Sequence, residues 1–269
     1  SGCTPMLMAA MHGHVSVIET LVRLGSTAID TLVDYDLTPM YVAAKNGHVS
    51  VIETLVRLGS TAIDTPNQSG WTPMYLAALD GSASLIETLI RLGSTTIDTP
   101  SYISMTPMHA AAYHGHVSVI ETLVRLGSIA INALDDYGET PMYTAASHGH
   151  VSVIEPLVRL GSTAIDTPDK KGRTPMYIAA RNGHVLVIET LVRLGSTVID
   201  APANNGQSPT DVAYERKTLI TLYYLGATHK DSCSFVHNED EAAEVRHHVY
   251  FQRSLISRCL FHLSITNTN

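Results

Sequence analysis

Apolar residues follow a helical spacing in residues 72–93, TPMYLAALDGSASLIETLIRLG, and similar segments make up most of the chain. The second half of this segment has apolar residues on one predicted helix face, at Leu85, Ile86, Leu89 and Ile90. A shorter apolar stretch precedes it, where Thr72 can cap a first turn and Pro73 suits the first helical position. Gly81 and Gly93 stand where these two stretches end. The pattern therefore predicts two short helices joined by a tight turn.

This two-helix pattern returns every 34 residues without a slip. Its first two residues stand at Thr4-Pro5, Thr38-Pro39, Thr72-Pro73, Thr106-Pro107, Thr140-Pro141 and Thr174-Pro175, then as Ser208-Pro209. A polar stretch marked by Pro and Gly precedes each new unit and predicts a turn or hairpin. A fixed period of this size predicts stacked supersecondary units, and most such solenoids bind other proteins.

At this level of detail the chain resembles the ankyrin repeat. The segment TPMHAAA at 106–112 is similar to the family's T-P-L-H-x-A-A, and a Gly-His pair precedes the second helix in five units. Tetratricopeptide repeats also have 34 residues, but their W-x-x-L-G-x-x-Y pattern does not occur here. The resemblance covers about residues 1–229. It implies an all-α solenoid of stacked helix-turn-helix units with hairpin-like loops.

The period divides the chain into six full units and a shortened last one. We expect repeats at about 1–34, 35–68, 69–102, 103–136, 137–170 and 171–207, and a capping repeat at 208–229. The first unit is as apolar as the internal ones, although terminal repeats usually need a polar outer face. We therefore expect the chain to be a piece of a longer array or protein.

The tail, 230–269, leaves the period and carries an acidic patch, NEDEAAE. Apolar positions four apart would line one helical face, at Phe251, Leu255, Cys259 and Leu263. We expect this tail to be partly helical, packed on the last repeat, or disordered. A partner-docking or membrane-surface helix is the alternative, but the Lys-rich polar face that would support it is absent from the sequence.

Composition excludes several classes of function. A formal net charge of −8 argues against non-specific nucleic-acid binding, which needs a basic face. Three scattered cysteines give no disulfide framework or zinc spacing and suit a reducing compartment, so we expect an intracellular, cytoplasmic protein. No apolar run reaches the roughly 18 residues of a membrane span.

Comparison of the units with one another locates the candidate binding residues. The second helix barely changes, whereas the unit varies at the hairpin tip and just before the Gly-His pair. The resemblance places both regions on one concave face. The candidate partner-binding residues are Tyr35, Lys45, Trp71, Leu79, Asp80, Tyr102, Ile103, Met105, Tyr113, His114, Tyr137, Glu139, Lys170, Lys171, Arg173 and Arg181. The middle of this set is aromatic and the sixth unit is basic. Drift at exposed tips is the alternative, because single exposed apolar residues are ordinary.

Other motifs predict scaffold roles. His-Gly-His occurs at 12–14, 114–116 and 148–150, but no carboxylate or thiolate accompanies it at ligand spacing, so we expect no metal site. The second histidine resembles a family residue that hydrogen-bonds backbone. Glu19 and Arg23 are four apart and predict an ion pair within one helix. Pro156, inside a second helix, predicts a kink or a late start.

One scaffold position departs from the family pattern. The family's first-helix histidine is present only as His109, and tyrosine replaces it at Tyr41, Tyr75, Tyr143 and Tyr177. We expect a tyrosine hydroxyl to substitute for the histidine hydrogen bonds between repeats.

The sequence therefore predicts a monomeric protein-interaction module that binds a protein or peptide partner on its concave face. No nucleophile–base pair, phosphate loop or cofactor fingerprint is visible, so we expect neither catalysis nor a cofactor. Two alternatives stay open. In the first, the array is the recognition or regulatory arm of a larger enzyme or channel. In the second, it is a structural spacer or an array that associates with itself.

Overall fold

The computed structural model describes residues 3–227, which contain thirteen α-helices and no β-strand. The helices are α1 (Pro5–Met11), α2 (Val15–Arg23), α3 (Pro39–Lys45), α4 (Val49–Arg57), α5 (Pro73–Leu79), α6 (Ala83–Arg91), α7 (Pro107–His114), α8 (Val117–Arg125), α9 (Pro141–Ser147), α10 (Val151–Arg159), α11 (Pro175–Arg181), α12 (Val185–Arg193) and α13 (Arg216–Leu225). The all-α solenoid expected from the sequence is confirmed.

Each first helix begins at the repeated Thr-Pro. The hydroxyl of Thr38 accepts a hydrogen bond from the backbone N–H of Tyr41 at 3.0 Å, and the same cap recurs at the start of the other five first helices. The following proline has no backbone N–H, but an N–H at this first helical position would have no partner within the helix. The capping residue therefore sets where each unit starts.

The helices form two layers. First helices contact first helices along one layer, from α1 through α11. Second helices contact one another along the other layer, from α2 through α12, with α4 and α6 joined by the Arg91–Glu53 ion pair. In α3 only Lys45 remains exposed, because this helix packs against α1, α4 and α5 at once. Each first helix contains two consecutive alanines, whose small side chains allow neighbouring helices to pack closely on several sides.

The last unit is shorter than the others. Residues 209–212 form turns rather than a helix, so in the described part of the chain this unit contributes α13 alone. Helix α13 packs on α12 and buries Leu222 and Tyr223. The tail expected at 230–269 lies outside the described residues.

After four of the second helices a carboxylate holds the neighbouring unit, and after α8 the amide oxygen of Asn132 does so. Asp64 accepts hydrogen bonds from the Ser94 hydroxyl at 2.5 Å and from the Thr95 backbone N–H and hydroxyl, each at 2.9 Å. Asp30, Asp98 and Asp166 make equivalent bonds to the next Ser-Thr or Ser-Ile. The recurring GST…ID segment is therefore a junction between units.

The predicted ion pair within the second helix is wrong. Arg57 pairs with Glu19 at 2.6 Å and Arg91 pairs with Glu53 at 2.6 Å, so each arginine reaches the glutamate 38 positions earlier, in the preceding unit. The same pairing recurs for Arg125, Arg159 and Arg193. The packing of second helices decides this, because it brings the neighbour's glutamate close to the arginine. Both side chains are exposed, which keeps the contribution of each pair small.

The prediction that Pro156 delays its helix is also wrong. Helix α10 spans nine residues, the same length and unit positions as α8, and continues through the proline. The proline cannot donate to the carbonyl four residues earlier, that of Ser152. Ser152 is exposed, so water can reach this carbonyl and the helix persists.

We predict that Pro156→Thr stabilises the array by about 1–3 kcal/mol, because it restores one helical hydrogen bond and removes a steric clash. The free energy of unfolding from urea titration is the measurement. Helix α8 has the same sequence except for Thr122, so Thr122→Pro is the matched reciprocal variant and should lose a comparable amount. An unchanged or lower stability of Pro156→Thr would contradict the prediction.

The Asp64 junction and the exposed Glu–Arg ion pairs between second helices should contribute different amounts to the free energy of unfolding. We predict that Asp64→Ala lowers the free energy of unfolding by about 2 kcal/mol or more, because it removes the acceptor of the buried Ser94 hydroxyl and of the Thr95 backbone N–H and hydroxyl at once. Glu53→Ala, which removes only the exposed pair with Arg91, should cost at most about 1 kcal/mol. Equal losses of stability in the two variants would contradict the prediction, because the carboxylate junction would then contribute no more than an exposed ion pair.

Candidate binding face

The hairpin tips of consecutive units are joined by a ladder of backbone hydrogen bonds. The N–H of Tyr102 donates to Ser69 at 3.2 Å, and the N–H of Asp136 donates to Ile103 at 3.1 Å. The same bond, between residues 33 positions apart in sequence, links Gln68 to Tyr35, Lys170 to Tyr137 and Asn204 to Lys171. The tips therefore form one continuous row along the array.

Three of the tips are fixed internally by the side chain of an Asp or Asn. The Asp135 carboxylate accepts from the backbone N–H groups of Tyr137 and Glu139 at 2.9 and 2.8 Å, and Asn67 and Asp169 close their own tips in the same way. Asn67 and Asp169 were not singled out from the sequence. Their recurrence as Asx residues three positions before the tip glycine is the signal that would have found them.

Close approach of the next tip explains the tip glycines. A Cβ on Gly138 would stand 2.9 Å from the Lys170 backbone nitrogen, and Gly138 has a positive φ of 79°. Two tips lack this glycine and have Asp36 and Ser104 at positive φ instead. The Ser104 hydroxyl donates to Asp136 at 2.6 Å, which holds this tip against its neighbour.

Large apolar side chains project from the tips into solvent. Tyr35 is 71% exposed, Tyr102 70%, Tyr137 59% and Ile103 44%. We call Tyr102, Ile103 and Tyr137 the tip strip; they stand on two adjacent tips, 101–105 and 135–139. Their backbones are held by the ladder, so these side chains are presented on a rigid edge.

Other predicted site residues face the core in part. Trp71 is half-buried and stacks on Tyr75 with ring centroids 5.3 Å apart. Met105 and Leu79 also pack against the core while remaining partly accessible. These three side chains therefore offer less free surface than the sequence pattern indicated.

A second aromatic group lies where the first helices end. Tyr113 is 42% exposed. Its ring centroid lies 4.0 Å from that of His148 in the next unit and 4.8 Å from that of His114. Partial burial lowers the pKa of His114, and nearby histidines lower it further. His148 was missed in the sequence because the pattern does not show that the end of the next first helix contacts Tyr113. Lys45 and Asp80 stand at the equivalent ends of their helices and are exposed.

The histidine of the Gly-His pair has a scaffold role, as predicted. Nε2 of His48 lies 3.0 Å from the carbonyl oxygen of Met11, in the preceding unit. His116, His150 and His184 make the same bond. Within residues 3–227 no three His, Cys, Asp or Glu side chains form a metal-binding group.

His109 and the tyrosines that replace it join neighbouring units. Nδ1 of His109 accepts from the Thr106 N–H at 3.2 Å, and Nε2 lies 3.0 Å from the Glu139 carbonyl oxygen of the next unit. The Tyr41 hydroxyl accepts from Asn67 at 2.9 Å, and the Tyr143 hydroxyl donates to Asp169 at 3.4 Å. The expected substitution by a tyrosine hydroxyl is confirmed at these two positions. Burial, with a smaller effect of Asp80, raises the pKa of Tyr41 to about 12, so its hydroxyl stays protonated.

The sixth unit carries the basic end of the face. Arg173 is bound to the buried Asp169 at 2.5 Å and approaches Glu139 to 3.6 Å. Burial raises the pKa of Glu139, and the adjacent Asp135 raises it further, although Arg173 opposes the shift. Glu139 and Arg173 therefore lie together in one network, and Arg173 is not a free cation. Lys170, Lys171 and Arg181 are exposed beside this network.

The comparisons with known proteins agree with this geometry. A family model described as ankyrin repeats (3 copies) matches residues 1–63, 58–135, 96–167 and 126–205. No curated protein matches the sequence.

Solved structures resemble the fold along most of its length. One is the human ASB11 ankyrin repeat domain, with a TM-score of 0.74, 23% identity, and coverage of 85% of this chain and 100% of that one. Another is the ankyrin repeat domain of Bcl-3, described as a unique member of the IkappaB protein family, with a TM-score of 0.69, 23% identity, and coverage of 83% and 99%. At this identity the likeness concerns the fold alone.

Burial of His109 should make the array sensitive to acid. Burial lowers the pKa of His109 below the usual 6.5, although the Glu139 carbonyl and Asp135 oppose the shift. Below pH 6.5 the unfolded chain therefore binds the proton more readily than the folded one, and stability falls as the pH falls. We predict that His109→Tyr loses less stability than the native chain between about pH 7.5 and 5.

Tyr143→His supplies the reciprocal control for this prediction. It places a buried histidine at the equivalent position of the next unit and should increase the loss of stability in acid. Urea unfolding at a series of pH values measures both variants. Parallel pH profiles for the native chain and His109→Tyr would contradict the assignment.

Proposed function

We propose that this chain, which belongs to the ankyrin repeat family, binds a protein or peptide partner across its hairpin tips and first helices, the concave face implied by the family resemblance. Ankyrin repeat domains are generally protein–protein interaction modules. The observation that carries the proposal for this face is the tip strip. Tyr102, Ile103 and Tyr137 place a cluster of large apolar side chains in solvent on adjacent tips.

The residue types of the tip strip favour binding. Tyrosine is enriched at the centres of protein interfaces, where a few aromatic anchors supply most of the binding energy. Exposed single apolar residues need no explanation, but here three stand together on a rigid edge. Tyr113, with His148 beside it, extends the apolar surface toward the ends of the first helices.

Rigidity of the array supports the same function. The backbone ladder and the Asx residues fix the tips before a partner arrives, so binding orders few additional groups. Exposed polar residues elsewhere on the face, such as Lys45 and Asp80 at the ends of their first helices, would supply specificity.

We further infer that the array binds as a monomer in the cytoplasm and does not bind nucleic acid. The sparse, scattered cysteines suit a reducing compartment, and Cys3 is an exposed free thiol in the structure. The net charge of −8 disfavours contact with phosphate backbones. None of the helices within residues 3–227 is long and apolar enough to span a membrane.

We predict that Tyr102→Ala combined with Tyr137→Ala weakens partner binding by about 2 kcal/mol or more, roughly 30-fold in Kd, because anchors of this type dominate interface energy. The partner is first captured by the native array and identified, and the affinity is then measured by calorimetry with both purified components.

Glu87→Ala combined with Arg91→Ala is the matched control on the opposite layer. It removes two exposed ion pairs, with Arg125 and Glu53, and should leave affinity unchanged. Loss of binding in this control, with retention in the tyrosine variant, would overturn the proposed face. Thermal unfolding checks that both variants fold.

A further inference from the structure

A basic groove lies between the sixth and the last unit. It has a volume of about 560 Å³ and is lined by cationic and amide side chains that include Lys170, Lys171, Arg173, Arg181, Asn204 and Asn205. Tyr177, Tyr214 and Val212 also border it. In a chain of net charge −8, this groove gathers four cations beside several neutral hydrogen-bond donors.

Two of the four cations are available for a ligand. Arg173 is held by Asp169 and Glu139, and the Lys170 ammonium donates to the Asp136 carbonyl at 2.6 Å. Lys171 and Arg181 are exposed, and neither belongs to an ion pair within residues 3–227. Their positions favour an anionic ligand with more than one negative charge.

The chain itself supplies such a ligand shortly after the last described residue. Residues 238–244 read NEDEAAE and contain four carboxylates, at Glu239, Asp240, Glu241 and Glu244. Helix α13 ends at Leu225 and the described chain ends at Ala227.

The tether between the groove and this acidic segment is long enough. Ten residues, 228–237, separate Ala227 from the segment, and ten extended residues span up to about 35 Å. The groove is lined by residues 203–214, and α13, about 15 Å long, is the only helix that follows them in the described chain. The acidic segment is therefore within reach of the groove without any rearrangement of the repeats.

We propose that the acidic segment 238–244 docks in the basic groove of the same chain, with its carboxylates on Lys171 and Arg181. A tether of this length gives an effective concentration on the order of millimolar, so even a weak charged contact is populated. The docked segment covers the basic end of the array. This proposal rests on the proposed function in one respect only: an acidic partner that binds at this end must displace the docked segment.

A paramagnetic label near the segment tests the contact directly and needs no partner. Cys233 stands five residues before Asn238 and takes the spin label after Cys3→Ser and Cys259→Ser, in the full chain. The amide signals of Asn204 and Asn205 should lose at least roughly threefold in intensity if the segment is docked most of the time. Addition of about 0.5 M NaCl should restore them, because the contact is ionic and exposed.

Matched variants separate docking from chance proximity. Glu239→Gln, Asp240→Asn, Glu241→Gln and Glu244→Gln together should abolish the broadening, and so should Lys171→Ala with Arg181→Ala. Lys45→Ala is the control, since Lys45 occupies the position of Arg181 four units earlier and is equally exposed; it should change nothing. Absence of broadening in the native chain, or its persistence in the neutralised tail or in the groove variant, would overturn the proposal.

Competition with an added peptide gives an independent measurement. A synthetic peptide of residues 236–246 should bind the full chain with the neutralised tail at least tenfold more tightly than the native full chain, whose groove is already occupied. Equal affinities would overturn the proposal. Because neither measurement uses the tip strip or a partner, failure here leaves the proposed function intact.

Discussion

Burial of each first helix between its neighbours is the constraint on which the rest of the structure depends. A helix of seven or eight residues is too short to be stable alone, and the first helices bury nearly every residue when stacked. Met40, Met74 and Met108 occupy equivalent buried positions in successive units. Every unit must therefore match its neighbours in shape, and this requirement keeps the period at 34 residues.

The junctions between units follow from that stacking. Once the layers are in register, the Asp64 carboxylate meets Ser94, His48 meets the Met11 carbonyl, and the tip of one hairpin meets the next. Each junction is local, so the array holds together through nearest-neighbour contacts. Residues at the junctions repeat, because a change in one unit would disturb the contact with its neighbour.

Positions outside the junctions are free to differ, and they supply the chemistry of the binding face. The backbone of a tip is fixed by the ladder, whereas its side chain can be tyrosine, lysine or asparagine without affecting the stack. The tip strip and the basic groove are two products of this freedom. They stand on adjacent units, so a ligand that spans them would meet an apolar surface and then a cationic one. Occupation of the groove by the chain's own acidic segment would make access to this end depend on salt and on competing acidic ligands.

The sequence by itself determined the period, the two-helix unit, the Thr-Pro start of each first helix and, at Tyr41 and Tyr143, the tyrosine hydroxyl that replaces histidine. These features depend on neighbours within one unit or on a motif repeated at fixed spacing. Most of the candidate residues at the tips are also exposed as expected, because they lie outside the repeated pattern.

Tertiary structure alone decided which side chains meet across units. Glu19 bonds to Arg57 rather than to Arg23, since stacking brings the arginine of the next unit within reach of the glutamate. Stacking likewise half-buries Trp71 on Tyr75 and brings His148 against Tyr113. It also gathers the cations of the sixth unit and the amides of the last one around a single groove. The linear pattern states which residues vary, but distances between units depend on how the layers pack.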